Sequence, residues 1–131
     1  MDKESVSATF LLEALATANA RLIEFSRALR SRLEVVDVLH CLECRWYLTG
    51  PMIEGYVDVE IRGRKSVAWL LDIRWPDKWL VDTRVVSNHG QYQDVLREFP
   101  TREAESLGEL ITVLNLAVSE LISSADSYLT A

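Results

Sequence analysis

The chain has 131 residues, 49% of them hydrophobic, which suits one ordinary core and gives no reason for a second, so residues 1–131 are expected to form a single domain. Its 20 acidic residues against 14 basic ones give a net charge of −6, which repels nucleic-acid phosphates and makes a basic protein surface the complementary partner. Purely apolar runs are short and no stretch approaches the ~20 residues of a membrane span; the opening Met-Asp-Lys-Glu-Ser lacks an export signal, so a soluble, cytoplasmic protein is expected.

From residue 6 to 33, Leu11, Leu15, Ala18, Leu22, Phe25, Leu29 and Leu33 recur at spacings of three and four, with no Gly or Pro between them. This predicts a long amphipathic helix laid over a sheet. Arg21, Arg27, Arg30 and Arg32 sit toward its C-terminal half, where cations suit the carbonyl end. Residues 34–49, β-branched at the start and aromatic at the end, predict a strand broken near Cys41. Gly50-Pro51 is expected to close it, with residues 52–55 as a connection.

Three apolar-polar alternations follow. Val57, Val59 and Ile61 alternate with Tyr56, Asp58, Glu60 and Arg62; Val67, Trp69, Leu71, Ile73 and Trp75 alternate with Ala68, Leu70, Asp72 and Arg74; Trp79, Val81, Thr83 and Val85 alternate with Leu80, Asp82 and Arg84. A period of two turns one side of each strand to the core and the other to water or a partner. The turns are Arg62-Gly63-Arg64-Lys65 and Pro76-Asp77-Lys78. A three-residue second turn sets Trp75 opposite Trp79, Ile73 opposite Val81 and Leu71 opposite Thr83, keeping large apolar groups on one side. It also opposes Asp72 to Asp82 on the outer side, with Arg74 and Arg84 on the diagonals.

Residues 87–90 are expected to turn the chain, and Tyr92, Val95, Leu96 and Phe99 suggest an edge strand or irregular crossing. Beyond Pro100, Thr101 is the expected N-cap of a closing helix, with Glu103 and Glu105 in its first turn and an apolar stripe from Leu107 through Ala125. The order predicts an α+β two-layer sandwich, an antiparallel four-stranded meander flanked by long N- and C-terminal helices on one face.

Catalytic signatures are weak. Cys41 and Cys44, three apart on a strand, point to opposite faces and do not converge as a redox pair, and adding His40 and His89 makes no common zinc spacing. There is no nucleophile elbow and no phosphate-cradling glycine loop. Paired outward carboxylates such as Asp58 and Glu60 have nothing apolar beside them to raise a pKa for acid catalysis. The expectation is therefore a binding protein, not an enzyme, with no cofactor and no metal. Its candidate partner-binding residues are Asp58, Glu60, Asp72, Arg74, Trp75, Asp77, Trp79 and Asp82, an acidic strip with indoles half exposed at strand ends.

The long N-terminal helix, the meander from Gly55-Tyr-Val-Asp-Val-Glu-Ile through Ser66-Val-Ala-Trp69 and Trp79-Leu-Val-Asp82, and the helix over residues 107–122 resemble the small acidic immunity proteins encoded beside bacterial polymorphic toxins. Within that group they are similar to the TriTu-like proteins, whose partners are ADP-ribosyltransferase toxins that modify elongation factor Tu. The resemblance implies a non-enzymatic inhibitor, a monomer before binding, that covers the toxin's active site. The Cys-containing first strand and the Arg-Gly-Arg-Lys hairpin depart from that pattern. A type III-like secretion chaperone, dimeric and binding an effector segment, is the alternative, with the N-terminal helix as its dimer seam.

Overall fold

The structure, a computed structural model, describes residues 3–32, 35–47, 50–63, 66–74, 78–89 and 92–129. Helix α1 (Lys3–Arg30) is followed by strands β1 (Val35–Tyr47), β2 (Gly50–Ile61), β3 (Ser66–Arg74), β4 (Trp79–His89), β5 (Tyr92–Glu98) and β6 (Arg102–Ala104), and helix α2 (Leu107–Leu129) closes the chain. The fold is α+β, with an antiparallel sheet in the order β1-β2-β3-β4-β5 and β6 paired to the other half of the β4 edge. The expected four strands are thus six.

The two extra strands come from segments whose patterns are short or mixed. Residues 92–98 pair with β4 as an edge strand, with a register shift at Val85/Val86, so their side chains keep no clean alternation. Residues 102–104, assigned by sequence to the first helical turn, instead pair with Val81, Leu80 and Trp79. The true cap is Ser106: its Oγ accepts from the Glu109 N–H at 3.1 Å, while the Glu109 carboxylate accepts from the Glu105 N–H at 2.9 Å. The cap lies five residues after the expected one and resembles a capping box, with the returning carboxylate bond made to the residue before the cap. Thr101 uses its hydroxyl elsewhere, donating to Asp82.

Strand β1 is unbroken at Cys41, and β2 begins at Gly50, so residues 52–55 are strand and not connection. Among the described residues β2 meets β3 only from Met52 onward, so no β3 ladder bond is asked of Pro51 there. Likewise Ser87, Asn88 and His89 remain in β4 and pair with β5, leaving any turn to residues 90 and 91, outside the described residues. The β3–β4 register is the one the three-residue turn requires: Ile73 opposite Val81, Leu71 opposite Thr83, Asp72 opposite Asp82.

Both helices lie on one face of the sheet, α1 over β1 and β2, α2 over β3, β4 and β6. Arg21 donates to Ser119 and Arg32 pairs with Asp126, so the helices run in the same general direction. Ala18, Leu22, Phe25 and Leu29 are the buried stripe of α1; Leu110, Leu114, Ala117, Val118, Leu121, Ala125 and Leu129 are that of α2. By length and composition alone Gly108–Leu129 is long and apolar enough to cross a membrane, contrary to the sequence expectation; here its apolar stripe is spent on the sheet.

Trp69 is the centre of this layer. Phe25 and Tyr128, one from each helix, meet its ring edge-on at centroid distances of 5.4 and 6.4 Å. Its indole N–H donates to Ser124 Oγ at 3.0 Å, and the Ser124 hydroxyl donates in turn to the Leu121 carbonyl at 2.7 Å. A wholly buried indole therefore leaves no donor unpaired. Gly55 gives room where α1 crosses the β1–β2 hairpin, since a Cβ there would lie 2.9 Å from Leu42 Cδ1 and 3.2 Å from Leu22 Cδ1 and would make those methyls shift.

Candidate protein-binding face of the sheet

Alternation along β1 to β4 gives the opposite face to Asp37, Leu39, Cys41, Glu43 and Arg45 of β1, and to residues in phase with them on the next three strands. Neither helix covers this face. The pairings set Glu43 opposite Glu54, Glu54 opposite Asp72, and Asp72 opposite Asp82, a row of four carboxylates across four adjacent strands. Like charges directly opposed repel, so the row needs cations beside it.

Arginines supply them unevenly. Arg74 Nε and Nη2 reach Asp82 Oδ2 at 3.1 and 3.0 Å, and the Thr101 hydroxyl donates to the other carboxylate oxygen. Arg45 lies 3.0 Å from Glu43. Arg84 is the counter-charge nearest in effect to Asp72, and its Nε is buried with no hydrogen-bond acceptor among the described residues. Burial pushes the Asp72 carboxyl above the ordinary range; Arg84 and Arg74 oppose that shift, while Glu54 and Asp82 reinforce it. Burial thus outweighs the arginines beside Asp72.

The next row is less polar. Cys41 faces Tyr56, Tyr56 faces Leu70, and Leu70 faces Arg84. Burial pushes the Cys41 thiol up and its contact with Glu43 adds to that, so it is a protonated thiol and not a reactive thiolate. Burial raises the Tyr56 hydroxyl too, with Cys41 beside it. Glu43 is lowered by its hydrogen bond from Arg45 and then by that from Cys41. In a further row Ala68 and Val86 are buried although no helix covers them, while Leu39 at one end and Val95 at the other are more than half exposed.

No family model, curated protein or solved structure matches the chain. The face must therefore be judged from its own residues. Of the candidates from sequence, Asp58, Glu60, Asp72, Arg74 and Asp82 come together on it. Trp75 and Asp77 lie outside the described residues. Trp79 does not belong: it points to the helix-covered face opposite Ala104, and at 5% exposure it is core, because β6 extends the sheet over the strand end where a free indole was expected.

Glu54, Glu43, Tyr56, Leu39 and Arg84 are members that sequence reasoning did not select. Ile53 in phase with Val57 would have extended β2 backwards and exposed Glu54 as the missing rung, but Gly55 interrupts the alternation. The thiols of Cys41 and Cys44 lie on opposite faces, on residues opposite Tyr56 and Ile53. Among the described residues no three His, Cys, Asp or Glu side chains gather as a metal site. The larger cavity, about 670 Å³, is an open groove beside Ile61, Arg62, Val67 and Tyr128; a smaller one of about 370 Å³ lies on the helix-free face at Asp37, Leu39, Asp58, Glu60 and Ser66.

Proposed function

We propose that the protein is an immunity protein, a non-enzymatic inhibitor that seats a cognate bacterial toxin domain on the helix-free face of its sheet and covers the toxin's active site. The observation that carries this reading is the uncovered face itself: an acidic row, Glu43, Glu54, Asp72 and Asp82, bordered by Tyr56 and Leu70, with the exposed Leu39 one row beyond. Apolar and aromatic groups supply anchors, and a basic partner surface supplies what the carboxylates lack. The ADP-ribosyltransferase identity of the toxin rests on the resemblance of the helix-meander-helix order and the Val-Asp-Val-Glu strand.

The test is to mix the purified chain with the toxin-like product of the neighbouring gene, then follow co-elution and toxin activity. A stoichiometric complex that silences the toxin is expected. Tyr56→Ala and Glu54→Lys are each expected to weaken it by about ten- to a hundred-fold, the loss typical of an interface anchor. Absence of a complex, or a complex indifferent to both substitutions, overturns the reading.

A further inference from the structure

Strand β1 ends the sheet, and among the described residues no strand pairs with its outer edge. In an antiparallel ladder the N–H and C=O of one residue point the same way, alternately toward the neighbouring strand and away from it. Val38 shows which residues point away. Its N–H donates to the Asp37 carboxylate at 2.9 Å and its carbonyl accepts from Arg30, so neither is used on β2. Pairing with β2 runs without a shift from Asp37 to Tyr47, so His40, Leu42 and Cys44 also offer their backbone groups outward. Asp37 and Arg30 thus close the edge at Val38, and the open run begins at His40.

An open run beside exposed apolar side chains invites another strand. Val36 and Leu39, 54% and 59% exposed, both lie on β1. We propose that this edge pairs with the same edge of a second copy of the chain, antiparallel, about a two-fold axis at Cys41. The charges of β1 select that axis. It sets Asp37 opposite Arg45 of the copy twice over, Leu39 opposite Glu43, Cys41 opposite Cys41, and His40 opposite Leu42 in the hydrogen-bonded pairs. An axis at His40 would oppose Asp37 to Glu43, and one at Glu43 would oppose that carboxylate to itself. An axis at Leu42 would face Arg45 with Leu39 and leave Asp37 without its partner. Opposite charges directly across a ladder attract and like charges repel, so the Cys41 axis is favoured.

The consequence is one continuous sheet whose two helix-free faces lie side by side, in place of the monomer expected from sequence. The seam is β1, not the α1 seam expected of a chaperone.

The test uses the full chain alone, independent of any toxin. Sedimentation over a range of concentrations is expected to show a reversible dimer. Mild oxidation with copper-phenanthroline is expected to trap a covalent dimer of Cys44→Ser but not of Cys41→Ser. Directly opposed, non-hydrogen-bonded residues have Cα atoms about 4.5 Å apart, within disulfide reach, whereas the two Cys44 residues would be six positions apart along the seam, about 20 Å. Arg45→Glu is expected to weaken the dimer roughly tenfold, and Asp37→Arg with Arg45→Glu to restore it, since the swap re-forms both cross-pairs. A chain that is monomeric at every concentration, a dimer trapped through Cys44 or through neither thiol, or a dimer untouched by Arg45→Glu overturns the proposal.

Discussion

On the helix-covered side of β2, β3 and β4, Val57, Trp69, Leu71, Val81 and Val85 are sealed under Leu22, Phe25, Leu114 and Leu121; on the other side the same strands carry Glu54, Asp72 and Asp82 in line with only partial compensation. The covered side is held by non-directional burial of apolar surface, which is strongest where helices from both ends of the chain meet. The open side gains little from its own contacts, since the Arg74–Asp82 and Arg45–Glu43 pairs face solvent, which screens their attraction while two long side chains lose freedom to form them. One side is therefore where stability is decided, and the other is where substitution is tolerated by the fold and felt by a partner.

The largest effect expected on the covered side is at Trp69. Trp69→Ala removes the ring between Phe25 and Tyr128 and leaves the Ser124 oxygen without the indole donor, which should cost about 3–5 kcal/mol, read as a drop in the denaturation midpoint. A loss below about 1 kcal/mol would mean that the two helices do not converge on this indole. Gly55→Val comes next. Its Cβ and two methyls would press on Leu42 and on the buried Leu22, forcing both side chains to shift, so a loss of about 1–3 kcal/mol is expected from urea melts.

How legible this was in the sequence follows the same division. The period-two runs of β2, β3 and β4 sit in one unambiguous phase, and the Trp69 side, the Asp72–Asp82 opposition and both amphipathic helices follow from it. Legibility failed where one residue obeys two rules. Gly50-Pro51 reads as a terminator, yet Pro51 pairs with Trp46 inside the β1–β2 ladder and has no β3 partner among the described residues, which no local pattern shows. Thr101 reads as a cap, but Ser106-Leu-Gly-Glu109 was the better match to a capping box, and a three-residue strand before it has too few residues to show a period. Trp79 reads as a rim indole until β6, invisible to periodicity, covers it. The acidic row needed Glu54, in a segment that reads as a connection because Gly55 interrupts its alternation, and Glu43, which lies just past the break expected near Cys41.

The helix cap gives a middle-sized test that is independent of the sheet. Ser106→Ala removes the acceptor for the Glu109 N–H and is expected to cost about 1 kcal/mol, seen as a lower thermal midpoint with the core otherwise intact. Thr101→Ala, which removes the hydroxyl bond to Asp82, should cost less; equal losses would return the cap to Thr101.

The smallest expected change carries the opposite sign, and it sharpens the contrast between the faces most. Asp72 has its folded pKa raised, chiefly by burial, above the unfolded value. Between those two pKa values the native state binds the proton more tightly, so stability falls as pH rises through that window and stays lower at neutral pH, where the carboxylate is charged in both states. Asp72→Asn removes the charge opposed to Glu54 and Asp82 while keeping the shape. It should therefore raise stability at pH 7 by about 0.5 kcal/mol, the scale of a cross-strand like-charge contact. The gain should fade as the pH drops through the carboxylate range, because the wild-type group is then neutral too. Urea melts of both proteins at several pH values between 4 and 8 measure this, and a substitution that destabilises at pH 7 would mean that Arg84 outweighs burial. If the gain is found, the open face keeps at its centre a charge that the isolated fold is better off without, as expected of a surface arranged for a basic partner.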